Sequence, residues 1–224
     1  KKEFLNITIP LPPLPEQKAI AHVLRTVQDA REKTEAVIEA AKTLKKSMMQ
    51  YLFTYGPVPI DEAEQLPLKE TEVGMVPEDW DLKKFIDFVS LQRGKDLPID
   101  KFENGSIPVV GATKILGYHN VAILKGPGVT VVRSGSSAGK PQYIEQDFWP
   151  HNVVLYIKNF HGNYEKFVYY YLDFLKLERF KSGVAVPTLN KNIFNNIIIP
   201  VPAKRQQEII AQIFDSIENK IAAE

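Results

Sequence analysis

The chain has no cysteine. That excludes disulfides, thiolate metal sites and a cysteine nucleophile, and it is compatible with a cytoplasmic setting. Long apolar runs are absent as well. None approaches the ~20 residues that a membrane-spanning helix needs, so no membrane contact is expected. The four histidines are scattered, at positions 22, 119, 151 and 161, without metal-ligand spacing. Excess charge is missing too, with 28 basic residues against 27 acidic ones. No signal-peptide pattern is visible and the first residue is Lys1, which fits a piece of something longer.

What remains is globular composition: 224 residues, 44% apolar and 25% charged. That length suits one large domain, or one domain plus an extended element. Charge is nearly balanced overall but unevenly spread. No acid lies between Glu103 and Glu145, a window that holds Lys114, Lys125, Arg133 and Lys140. None lies between Glu178 and Glu208, where Arg179, Lys181, Lys191, Lys204 and Arg205 occur. A face built from these windows would carry a local positive field.

One segment occurs twice. FLNITIPLPPLPEQKAIA begins at Phe4, and FNNIIIPVPAKRQQEIIA begins at Phe194, with nine of eighteen aligned positions identical. About one identity is expected by chance. Each copy reads as a β run stopped by proline, followed by a helix start. Beyond the first copy a heptad pattern runs on. Ile20, Val27, Thr34, Ala41 and Met48 fall seven apart, as do Val23, Ala30, Val37, Leu44 and Tyr51. The spacing predicts a coiled-coil helix over residues 16–55, packed through Ile20, Val23, Val27, Val37, Leu44 and Met48. The thirty-six residues from Glu16 to Tyr51 would extend about 54 Å, too far for a small domain to cover alone. A long surface helix packed on its own domain is the plainer alternative.

Residues 56–74, rich in proline and acid, read as a linker. Leu82, Phe85, Ile86 and Val89 suggest a short amphipathic helix. IPVV (107–110), NVAIL (120–124), GVTVV (128–132), QYI (142–144) and NVVLYI (152–157) are the expected strands. Phe167, Tyr170, Tyr171, Phe174 and Leu175 follow helical spacing after Asn163, a candidate cap. That aromatic stripe suits a core better than a base-stacking platform. NIIIP (196–200) closes the unit as a last strand. The fold class is α+β: a mixed domain over residues 75–203, flanked by long helices, the second starting at residue 204.

Three readings compete for VTVVRSGSSAGKPQY. A P-loop needs one more residue between its glycines, and Pro141 stands where Ser or Thr would hold magnesium. A nucleophile elbow fits the letters around Ser137, but a strand rather than a helix follows. The third is a glycine-rich turn between strands, with Arg133 and Lys140 at its shoulders and Ser136 and Ser137 at its tip. Arginine can pair with guanine, while hydroxyls and turn amides suit phosphate. A plain hairpin turn fits equally well. A second string, VVGATKILGYHNVAIL, offers Lys114, Tyr118 and Asn120 around another turn. A third, RFKSGVAVPTLNKN, adds Lys181 and Lys191.

Four segments together resemble the DNA specificity subunit of type I restriction–modification systems. They are IPLPPLPEQKAIAHVL, TEVGMVPEDWDLKKFIDF, VVRSGSSAGKPQYIEQDFWPHNVVLYI and PTLNKNIFNNIIIPVP. The resemblance implies a non-catalytic subunit with two target-recognition domains, separated by two helical regions packed as an antiparallel coiled coil. Each domain reads one part of a split duplex target, and the helices set the gap. On that basis residues 1–15 are the tail of a preceding recognition domain. The chain is then a fragment, or a half-length form that self-associates. The implied partners are double-stranded DNA, methyltransferase subunits that use S-adenosylmethionine, and restriction–translocase subunits that use ATP. No cofactor is expected on this chain. The competing class is a coiled-coil protein-interaction scaffold without base readout.

Overall fold

The structure is a computed structural model that describes residues 10–183 and 186–223. The first copy's β run, residues 6–9, and most of the expected 1–15 tail lie outside the described residues. Residues up to Lys45, together with those from Ile217, form one compact unit, and Lys46–Ser216 form another.

Helix α1 covers Leu14–Tyr55 without a break, as the absence of Gly and Pro between Glu16 and Tyr55 allows. Its heptad stripe is open: Ile20 is 46% exposed, Val23 60% and Val27 62%, and Val37 and Leu44 are also exposed. Within the first unit, Val37, Ile38 and Ala41 line one groove with Ile221 and Ala223, and Lys45 Nζ pairs with Glu218 at 2.5 Å. Met48 is partly buried and belongs to the second unit's core.

That second unit is assembled from short strands. The stretch read as a linker carries a hairpin, β1 (Leu68–Thr71) with β2 (Gly74–Pro77). Strand β3 (Asp81–Lys84) then leads into one helical turn, α2 (Phe85–Phe88), and into β4 (Ser90–Arg93). The expected amphipathic helix is therefore corrected. Leu82 sits in β3, which pairs with a strand 117 residues later, and only Phe85–Phe88 is helical. Strand β5 (Ile107–Val110) pairs with β6 (Ile115–His119). NVAIL is not a strand. Its Leu124 makes one isolated bridge to Phe148, and the hairpin partner is ILGYH, whose Gly117 lets the Phe102 ring approach the backbone.

GVTVV is β7 (Gly128–Val132), with every residue buried, as an inner strand covered on both faces requires. Strands β8 (Pro141–Ile144), β9 (Trp149–Pro150) and β10 (Val154–Asn159) follow. The four-stranded sheet runs β4-β10-β7-β8, antiparallel throughout, and a three-stranded sheet runs β6-β5-β9. Helix α3 (Glu165–Phe174) buries Phe167, Tyr170 and Tyr171, so the aromatic stripe is core. Asn163 does not cap it. Tyr164 holds the cap position, and the buried Asn163 amide bridges distant backbone instead. Strands β11 (Lys181–Ser182) and β12 (Thr188–Leu189), the turn α4 (Lys191–Phe194) and β13 (Ile198–Val201) lead into helix α5 (Lys204–Ala223).

The repeat has a physical counterpart at its two helix starts. Gln17 Nε2 donates to Pro12 O at 2.7 Å, and Gln207 Nε2 donates to Pro202 O at 2.9 Å. The two backbone amides match as well, Gln17 N to Pro13 O and Gln207 N to Ala203 O. The shared Pro-x-x-x-x-Gln letters thus encode one N-terminal lock used twice, which satisfies carbonyls that the proline turn leaves without strand partners.

Candidate nucleic-acid interface

The antiparallel order brings several chain ends together. The C-terminal ends of β4 and β7 lie beside the N-terminal end of β10, since Arg93 faces Leu155 and Val132 faces Val154. The stretch after Arg93, the turn after Val132 and residues 151–153 therefore share one end of the sheet. Strand β12 is joined there by the Ser134–Thr188 bridge and by the amide of Leu189, which donates to Arg133 O at 2.8 Å. His151 N donates to Val110 O, and Gln142 Nε2 donates to the carbonyls of Gly111 and Ala112. Those bonds fix the β5–β6 turn, which carries Lys114, at the same end.

Residues 133–140 form a tight connection straight from β7 into β8. Gly135 and Gly139 both have φ of +99°. Gly139 N donates to Val132 O at 2.8 Å, Val132 N donates to Lys140 O, and Lys140 N donates to Ser137 O. No helix follows the glycines, so the geometry is that of the turn and not of a P-loop or a nucleophile elbow. Gly139 is needed twice over. Its φ disfavours any side chain, and a Cβ there would lie 2.3 Å from the backbone nitrogen of Glu178. At Gly135 a Cβ would meet nothing within 4 Å. We expect Gly139→Ala to cost more than the ~1–2 kcal/mol of left-handed strain alone, lowering the melting temperature by more than ~4 °C. Gly135→Ala should show the strain alone, and equal melting temperatures for the two variants would refute the close-packing account.

The sequence-derived residues divide into two groups. Arg133, Ser136, Ser137, Lys140, Lys181 and Lys114 come together. Lys181 Nζ donates to Ser136 O at 3.4 Å, while Lys114 and Lys140 are exposed. Arg133 is half-buried, with Nε donating to Asn152 O at 3.0 Å. Tyr118 and Asn120 lie towards the opposite end of the β5–β6 hairpin, because Tyr118 pairs with Pro108 and Asn120 follows it. Tyr118 is 55% exposed, and the Asn120 amide already donates to Glu103 Oε2 at 2.6 Å. Lys191 is anchored, with Nζ donating to Leu91 O at 2.8 Å.

Arg93 escaped the sequence reading. It lies between Asp87 and Asp96, outside both acid-free windows, on a strand with only one fully buried residue. Yet its Nε points to the same Asn152 carbonyl, at 3.4 Å. Burial, and then the charge of Arg93, hold the Arg133 guanidinium below its ordinary pKa. Asp96 is engaged elsewhere: its carboxylate accepts from Asn152 Nδ2 at 2.6 Å and lies 3.5 Å from His151 Nε2. Among the described residues, no group of three His, Asp or Glu could hold a metal ion, and no helix is long and apolar enough to cross a membrane.

Comparison with known proteins places the chain in a family. A family model described as type I restriction modification DNA specificity domain matches residues 1–42 and 77–224. The chain is 32% identical over 250 aligned positions to the type I restriction enzyme MjaVIII specificity subunit of Methanocaldococcus jannaschii, covering 99% of this chain and 57% of that protein. It is 26% identical to the putative MjaX specificity subunit of the same organism, covering 98% and 54%. The chain thus spans somewhat over half the length of these curated relatives. Its fold is shared with the type I restriction–modification S subunit from M. genitalium, at a TM-score of 0.70 and 21% identity, covering 94% of this chain and 56% of that one. It is also shared with the HsdS subunit from Thermoanaerobacter tengcongensis, at a TM-score of 0.60 and 18% identity, covering 96% and 54%. The chain belongs to the type I restriction modification DNA specificity domain family.

Proposed function

We propose that residues 75–203 are a target-recognition domain that reads one part of a split DNA target in the cytoplasm. Residues 16–55 and the helix from residue 204 act as spacers that dock methyltransferase subunits, within a complex that also holds restriction–translocase subunits. This chain carries no catalytic step. One observation carries the reading. Arg93, Lys114, Arg133, Lys140 and Lys181 gather at one end of the sheet beside a hydroxyl-bearing turn, and among the described residues none of the five has an ion-pair partner. In a chain of net charge +1, that is a local positive field aimed at an anion.

The test is binding of the assembled complex to random duplex as salt is raised. Four phosphate contacts give a slope near −3.6, so affinity should fall on the order of a hundredfold between 50 and 200 mM salt. A flat curve would sink the reading. The scaffold alternative draws on the open stripe of α1 at Ile20, Val23 and Val27. It requires that Arg133→Ala combined with Lys140→Ala leave duplex binding unchanged, whereas the recognition reading requires a loss.

A further inference from the structure

Two arginines share one carbonyl at the heart of the basic end. Arg93 closes β4 and Arg133 follows β7, on opposite sides of the strand that Asn152 leads into. Both place Nε on Asn152 O, at 3.4 and 3.0 Å. A guanidinium has five N–H donors in one plane. With Nε anchored, the plane is oriented and the Nη donors stay available. Among the described residues, no hydrogen bond from these Nη groups to protein is found, and no carboxylate pairs with either side chain. The Asp96 carboxylate, three residues beyond Arg93, is held by Asn152 Nδ2.

Two like charges around one neutral acceptor repel, and among the described residues neither guanidinium has a carboxylate in direct contact to offset that repulsion. We propose that Arg93 and Arg133 form a clamp for a single backbone phosphate of DNA, setting the register of the recognition domain on the duplex rather than reading a base. The inference rests on the DNA-reading function proposed above. Charge decides between the two nucleic-acid acceptors. Guanine O6 and N7 accept from arginine but are neutral, so they would leave the repulsion in place. A phosphodiester carries one negative charge and two non-bridging oxygens, one for each guanidinium, in charge-assisted bonds.

The test uses the assembled complex and a pool of duplexes with a randomised central region. Bound fractions are measured across salt and sequenced. Arg93→Gln is the variant to make, because the side chain is exposed and its loss should leave the melting temperature unchanged. The clamp requires three results: affinity about tenfold lower at 0.1 M salt, a salt slope shallower by about 1, and an unchanged sequence preference in the bound pool. The most enriched duplex is then remade with single neutral methylphosphonate linkages. One position should weaken the wild-type complex at least as much as Arg93→Gln does, and should weaken the variant less than it weakens the wild type, because only Arg133 is left to lose its partner.

Loss of preference at one base position, with the slope intact, would overturn the clamp in favour of guanine readout. Unchanged affinity and slope would overturn it in favour of a purely structural pair. If the wild-type complex bound no duplex at any salt, the DNA-reading function itself would fall, and the wild-type arm alone would show it.

Discussion

Replacing Phe53 with alanine should cost about 3–5 kcal/mol, the range for emptying an aromatic site in a packed core. Phe53 lies near the end of α1 and is 1% exposed. Its ring meets four others: Phe174 at 4.5 Å, Tyr171 at 5.1 Å, Phe214 at 5.9 Å and Phe167 at 6.0 Å between centroids. Three elements contribute, namely α1, α3 and the middle of α5. None can move to fill the space without disturbing the others, because Tyr171 also donates its hydroxyl to Pro200 O at 2.6 Å. The cavity should therefore persist, and the cavity term adds to the lost transfer energy. Against a total of about 5–15 kcal/mol for a domain, that is a large share. Urea denaturation checks it, and a shift equivalent to less than ~1.5 kcal/mol would mean that the cluster does not close the unit. Phe53→Leu, which refills much of the volume, should cost clearly less.

The second large effect should come from Asn163→Ala. Asn163 Nδ2 donates to Phe88 O at 2.8 Å and to Phe160 O at 2.9 Å, while Oδ1 accepts from Gln207 Nε2 at 2.8 Å. Gln207 Nε2 also donates to Pro202 O, and its Oε1 accepts from Tyr164 N at 2.9 Å. The network is closed: every amide hydrogen and both side-chain oxygens have partners. Alanine at 163 would strand Phe88 O and one Gln207 N–H, while Phe160 O keeps the backbone amide of Asn163. At about 1–3 kcal/mol for each of the two stranded groups, a loss of roughly 2–6 kcal/mol is expected. Gln207→Ala breaks the same network, so the double variant should be less destabilised than the sum, with a coupling near 1–3 kcal/mol. Strict additivity would show that the two amides act independently.

These two sites also show what a single chain of letters can and cannot reveal. GVTVV declares itself, because four β-branched residues in five suit a strand buried on both sides, and the helix of α1 follows from its unbroken heptads. The duplicated segment pointed to equivalent junctions, and the matching glutamine bonds at Pro12 and Pro202 give that a structural cause. Other features depend on partners far along the chain. Asn163 reads as a helix cap from its neighbours in sequence, yet Gln207, 44 residues on, decides its role. Leu82 fits a helical stripe, yet pairing with β13 makes it a strand residue. Arg93 was invisible for the same reason. Nothing local marks it, and only strand order places it beside Arg133. Of the basic end, the glycine turn and its flanking residues were legible from composition. The second guanidinium, and the diversion of Lys191 and Asn120 to structural bonds, were not.

Lys191 on the Leu91 carbonyl bears on how this chain avoids its own kind. Strand β4 is an outer strand of the four-stranded sheet, and an outer strand with open carbonyls invites another chain to add itself. Here an ammonium group occupies that acceptor, and the opposite outer strand begins at Pro141, which has no N–H to offer. Each margin thus has one outward position closed to strand addition, Leu91 O by the ammonium group and residue 141 by its imide nitrogen, which makes either edge a poorer template for a second chain.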